Sequence, residues 1–88
     1  MLTLVEIHYY AAARNARGLA TETIDNPPAT LGELVELLAQ HPGTTDAGMP
    51  LADVLQRCSF LVDGAHATPT TNLATAGRVD VLPPFAGG

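Results

Sequence analysis

The sequence predicts an α+β fold, a mixed sheet of four to five strands with one main helix packed across it. Three observations carry that expectation. Alternating apolar residues near both ends read as strands. One well-capped amphipathic helix lies between them. The order strand, strand, helix, further strands contains neither a repeat nor a linker. A helix laid over one face of a small sheet buries the apolar side of both. The 88 residues suffice for one such domain, which should bury about 60–65% of the surface exposed by the unfolded chain.

Residues 2–12 alternate and are rich in strand formers. Val5, Ile7, Tyr9 and Ala11 form the more uniformly apolar face, and Leu4, Glu6, His8 and Tyr10 form the other. Residues 15–18 read as a turn and 20–25 as a second strand, stopped by Asn26-Pro27-Pro28. A short polar turn between two strands predicts an antiparallel hairpin. Thr30 and Glu33 form a capping box, in which the Thr30 hydroxyl accepts from the Glu33 amide and Glu33 reaches back. Leu31, Leu34, Val35 and Leu38 then recur as one helical stripe. His41-Pro42-Gly43 ends it, with Gly43 expected as a left-handed cap. Gly32, inside the first turn, is expected to permit close packing on the sheet.

Leu51, Val54, Leu55 and Cys58 repeat helical spacing and predict a short second helix. Residues 59–62 read as a strand, Asp63-Gly64 as a tight turn, and 65–68 as a returning strand. Residues 69–76 are loop, anchored inward by Leu73. Residues 78–82 alternate again, with Val79 and Val81 on one face. First and last strands lying side by side at the centre would pair in parallel.

Charge narrows the function classes. Four Arg, no Lys and nine acids give a net charge of −5. Arg14, Arg17, Arg57 and Arg78 are scattered rather than clustered, so neither nucleic acid nor an anionic membrane is an expected partner. No apolar run approaches the ~18–20 residues of a membrane span, and no signal peptide is evident. Cys58 is the one cysteine and has no internal disulfide partner, which fits a reducing compartment. A cytoplasmic location is expected.

The tail, residues 83–88, reads Pro-Pro-Phe-Ala-Gly-Gly. Two prolines stiffen the exit from the last strand. Phe85 is one of four aromatics, placed where no core remains to be built, which points to a pocket on another protein. A glycine carboxylate has no side chain beside it, and Gly87-Gly88 passes a narrow channel that a Cβ would block. Six extended residues reach roughly 20 Å, enough to enter a partner's active site. The expected organisation is a body of residues 1–82 and a tail of 83–88 that acts as a substrate arm.

These residues resemble a family. Tyr9-Tyr10-Ala11-Ala12-Ala13-Arg14 resembles the aromatic-Ala-x-x-Arg segment of MoaD/ThiS sulfur carriers. Val62-Asp63-Gly64 resembles their Val-Asn turn, with Asp replacing Asn. Residues 79–88 resemble the last strand and Pro-Pro-x-x-Gly-Gly tail of the molybdopterin synthase small subunit. Ala76-Gly77-Arg78 stands where the family often has Gly-Asp. The resemblance implies a ubiquitin-like β-grasp fold and a carrier cycle. An adenylating enzyme joins the Gly88 carboxylate to AMP at the expense of ATP. A sulfurtransferase persulfide then displaces AMP and leaves a thiocarboxylate. The loaded tail enters a large subunit and gives sulfur to a pterin precursor of the molybdenum cofactor. Catalytic acids and bases would lie on that large subunit. This chain would be non-catalytic alone, with no cofactor of its own, ATP being the activating enzyme's substrate.

The same comparison makes Tyr10, Arg14, Pro84 and Phe85 candidates for partner contact. The plainer readings are a surface aromatic for Tyr10 and a local ion pair with Glu22 for Arg14. His8, His41 and His66 lack zinc-ligand spacing, so no metal site is expected. Cys58 reads as a small buried hydrophobe. Carriers for thiamine thiazole or cysteine synthesis, and a ubiquitin-like protein modifier, remain alternative readings of the same tail. A β-grasp interaction domain with an inert tail is a third.

Overall fold

The structure, a computed structural model, describes residues 3–84. Its elements are β1 (Leu4–Tyr9), α1 (Ala11–Arg17), β2 (Thr21–Asp25), α2 (Leu31–Ala39), α3 (Leu51–Gln56), β3 (Ser59–Val62), β4 (Ala65–His66) and β5 (Arg78–Leu82). They form one five-stranded sheet in the order β2-β1-β5-β3-β4. β1 and β5 pair in parallel at its centre, and the other pairs are antiparallel. This α+β arrangement is the β-grasp layout expected above.

The main departure is α1. β1 and β2 pair antiparallel, as the hairpin reading requires, but a seven-residue helix rather than a short turn joins them. Ala11 therefore leaves the strand and is exposed. Its φ of +49° turns the chain sharply from β1 into α1, a left-handed conformation that costs an alanine about 1 kcal/mol. Ala13 and Ala16 provide the buried side of α1. Gly18, at φ +83°, closes its end by donating to the Arg14 carbonyl at 2.9 Å.

Val5, Ile7 and Tyr9 face a single core with Val79 and Val81 of β5, Leu31, Leu34 and Leu38 of α2, and Leu51, Val54 and Leu55 of α3. Leu73 is fully buried as expected. Its amide donates to Ala29 and the Leu31 amide to Thr71, tying its loop to the start of α2. Thr30 caps α2 by accepting from the Glu33 amide at 3.3 Å. The Glu33 carboxylate takes the Thr30 hydroxyl at 3.1 Å, which differs from the reciprocal amide bond of a full capping box.

Two glycines hold positions for reasons other than those expected. Gly32 packs on the loop, not the sheet: a Cβ there would lie 3.1 Å from the Pro69 carbonyl oxygen. α2 ends at Gln40 in right-handed conformation, so Gly43 is no left-handed cap. A Cβ on Gly43 would stand 1.9 Å from the Ala16 carbonyl oxygen. β4 stops at His66 rather than continuing to Thr68, and Cys58 lies just beyond α3.

The root of the C-terminal tail as candidate functional site

β5 carries the tail. Its central position, bonded to β1 on one side and β3 on the other, gives the exit a rigid base. Val79 and Val81 point into the core, and the strand period sends Asp80 to the opposite, open face of the sheet. The chain leaves at Pro83, half-buried, and Pro84, exposed. Phe85, Gly87 and Gly88, the predicted anchor, threading and loading residues, lie outside the described residues.

Tyr10 is 39% exposed, at the junction of β1 and α1. Its hydroxyl donates to Asp80 Oδ1 at 2.9 Å and accepts from Arg78 Nη2 at 3.1 Å. Arg78 also donates to Asp80 through Nε at 3.1 Å and Nη2 at 3.0 Å. Asp80 is only 7% exposed. Burial pushes its carboxyl up, but the bonds from Arg78 and Tyr10 outweigh burial and hold it below its ordinary range. The trio joins the end of β1 to the strand that bears the tail. At the other end of β5, Asp63 Oδ1 accepts from the amides of Gly77 and Arg78, both at 3.0 Å. Asp63 sits at φ +50°, so an aspartate serves in a tight turn where Asn is also tolerated. That carboxylate fixes the start of β5 despite the Ala-Gly-Arg sequence there.

Arg14 is exposed and makes no ion pair among the described residues. The partner of Glu22 is Arg17, which donates from Nε at 2.8 Å and from Nη2 at 3.0 Å. Tyr9 donates its phenol to the same carboxylate, and Arg17 Nη1 bonds His41 Nε2 at 2.9 Å. Burial raises the Glu22 carboxyl, while the Arg17 and Tyr9 bonds outweigh that and lower it overall. Burial, followed by Glu22, raises the Tyr9 phenol well above its ordinary value.

Glu22 and Asp80 are thus both depressed in the folded state. Their stabilisation is fully present above their ordinary values of 4.5 and 3.8 and is lost as pH falls through the lower folded values. Denaturant midpoints are expected to stay level from about pH 7 to 5 and to fall below about 4.5. An Arg17→Gln chain should start lower at neutral pH and converge with the parent in acid.

Cys58 is half-buried, and its Sγ donates to the Val54 carbonyl at 3.2 Å. Burial pushes the thiol up to about 11, leaving almost no nucleophilic thiolate at neutral pH. Cys58→Ala is expected to cost about 1 kcal/mol in a denaturant titration. Among the described residues no three metal-capable side chains converge, and no helix is long and apolar enough to cross a membrane.

The trio was not visible in the sequence because Tyr10 and Asp80 are 70 positions apart. The one available signal was a charged residue between Val79 and Val81, in a strand too central to leave it unpartnered.

Comparison with known proteins extends this picture. A model of the ThiS family matches residues 7–88. SAMP1 from Haloferax volcanii superposes with a TM-score of 0.71 at 22% identity, over 98% of this chain and 100% of that one. A putative molybdopterin converting factor, subunit 1, from Pyrococcus furiosus gives 0.68 at 20% identity, over 94% and 99%. A second structure from H. volcanii, of small archaeal modifier protein 1, gives 0.67 at 22% identity, over 94% and 99%. No curated protein matches. At these identities the structural likeness carries the fold, a ubiquitin-like β-grasp.

Proposed function

Because the chain belongs to the ThiS family, that of ubiquitin-like sulfur carriers and modifiers, we propose that it is a sulfur carrier and the small subunit of molybdopterin synthase. Residues 1–82 are the docking body and 83–88 the arm. The observation that supports this most is the family match running through Gly88, on a tail whose Pro83-Pro84-Phe85 lead-in resembles that of the synthase subunit.

The Gly88 carboxylate attacks the α-phosphorus of ATP within an adenylating enzyme and pyrophosphate leaves. The outer sulfur of a sulfurtransferase persulfide attacks the acyl-adenylate with loss of AMP, and a thiol then reduces the resulting acyl disulfide, ending as a disulfide itself and freeing the thiocarboxylate. The thiocarboxylate enters the large subunit, where Phe85 anchors the arm and Gly87 threads the channel. Tyr10, Arg14 and Pro84 contact that partner around the exit. Members of this family work with a large subunit and an activating enzyme, and the body built here gives the arm a fixed origin between β1 and β3.

The test is the intact mass of the protein isolated from its own cells under conditions that preserve thioacids. A species heavier by exchange of one oxygen for sulfur, mapped to Gly88, supports the carrier. A tail that is always a plain carboxylate, or joined to lysines of other proteins, sinks it in favour of an interaction domain or a modifier. A pterin-synthase large subunit encoded beside this gene, rather than a thiazole or cysteine synthase, would support the pathway assigned. Phe85→Ala should weaken binding to the large subunit by about 2 kcal/mol, as truncated aromatic anchors do, with adenylation less affected. Unchanged calorimetric affinity of the purified pair would remove the anchor role.

A further inference from the structure

β2 forms one edge of the sheet. Its ladder phase is fixed by two bonds: Tyr9 N–H donates to the Ala20 carbonyl at 2.8 Å and Asn26 N–H to the Thr3 carbonyl at 2.7 Å. Ala20, Glu22, Ile24 and Asn26 therefore bond inward to β1, and Thr21, Thr23 and Asp25 direct their amides and carbonyls outward. No group among the described residues takes those outward bonds. The opposite edge, β4, is only two residues long. β2 is five residues in unbroken register, without lysine, proline or bulge; of the usual devices that blunt an edge it has only the charges of Glu22, which is paired with Arg17, and of Asp25.

Beside this edge, between β2 and α2, runs a groove of about 360 Å³. Ile24, Leu37, Leu38 and Pro42 give it an apolar lining, and the Arg17–Glu22 pair borders it. Leu37 is 43% exposed, an unusual position for leucine on a helix whose other leucines are buried. The surroundings are acidic. Asp25 ends the edge, Glu33 lies one helical turn before Leu37, and Glu36 lies one turn before Gln40 on the groove's margin. The charge of Arg17 is taken up by Glu22.

We infer that the β2 edge and its groove dock an extended segment of a partner protein, apolar at alternate positions and flanked by basic residues. The segment adds a sixth strand by bonding Thr21, Thr23 and Asp25. Its inward side chains fill the groove over Leu37, and its flanking cations meet Asp25, Glu33 and Glu36. β1 separates this edge from β5, so the surface stays available while the tail is engaged. The inference does not depend on sulfur chemistry.

The test is a titration of the ¹⁵N-labelled full chain with a synthetic peptide of alternating valine and threonine, flanked by lysines. The control peptide carries glutamates in their place. The expected result is saturable shifts at Thr21, Thr23, Asp25 and Leu37, and about tenfold weaker binding of the control. Thr23→Pro removes an outward N–H without touching the β1 ladder and should weaken binding about tenfold. Leu37→Asp, at a half-exposed helix position, should do the same through the groove and serves if the proline variant fails to fold. Absence of saturable binding, equal binding by both variants, or shifts centred on Leu61 and Leu82 of the open face would each overturn the proposal. So would concentration-dependent shifts of β2 without peptide, which would assign the edge to a second copy of this chain.

Discussion

Deletion of Gly88 is expected to abolish sulfur loading, reducing the thiocarboxylate species at least 100-fold while the body stays folded. A carboxylate must sit about 3–3.5 Å from the phosphorus it attacks, and a misplacement of about 1 Å costs on the order of 100-fold. Removing one residue withdraws the carboxylate by about 3.3–3.6 Å, and a rigid exit from β5 between stiff prolines leaves little slack to recover it. Among the described residues the buried core runs from Val5 to Val81, and a glycine brings no side chain to a core, so the body is expected to stay folded. The thermal midpoint should move by no more than about 2–4 °C, as for a surface change. Gly88→Ala keeps the length and adds only a Cβ, so loading should fall less than in the deletion. Loading at the parent level in the deleted chain would show that this carboxylate is not the acceptor. An inert-tail interaction module would retain its binding function in the same chain.

What was legible in the sequence was what short-range pattern controls. The alternation of Val5, Ile7 and Tyr9, the leucine stripe of α2 and the valines of β5 each declare a buried face, and all of them are buried. The parallel pairing of the first and last strands was conditional on their lying side by side, and it is the structure that places them so, in the order β2-β1-β5-β3-β4. α1 was missed because its alanines continue the small, apolar character of β1, so Ala11 and Ala12 read as further strand positions. The missing signal was propensity: four alanines and two arginines before a glycine favour a short helix with a left-handed cap. Gly43 was misread for a different reason. Its role is set by contact with Ala16, 27 positions earlier, which no local pattern reports. The site divides the same way. The tail motif is contiguous and was readable, whereas Asp80 gains its meaning from Tyr10 across the sheet. Arg17, rather than Arg14, reaches Glu22 because helical geometry turns Arg14 outward.

The second large effect is expected from Gly43→Ala, which should lower the thermal midpoint by about 12–24 °C. The added Cβ would meet the Ala16 carbonyl oxygen at 1.9 Å and its carbonyl carbon at 3.1 Å. Both are backbone atoms of a helix, so no rotamer change relieves the clash, and the segment following α2 must retreat by more than 1 Å. That segment is tied down at both sides of the contact. The Gly43 carbonyl accepts from the Leu51 amide at 2.9 Å, at the first residue of α3. The Asp46 amide donates to Asn15 Oδ1 at 2.7 Å, on α1. Overpacking of this kind costs about 1–3 kcal/mol, and weakening those two bonds adds to it, for about 3 kcal/mol in all. A domain of 88 residues has only about 4–13 kcal/mol to lose, and each kcal/mol is worth about 4–8 °C at this size. Gly48→Ala is the matched control. Gly48 lies in the same loop at φ +90° with open space around it, so alanine there meets only the left-handed backbone cost of about 1 kcal/mol. A Gly43→Ala midpoint no lower than that of Gly48→Ala would mean that the loop does not press on α1 as closely as 1.9 Å requires.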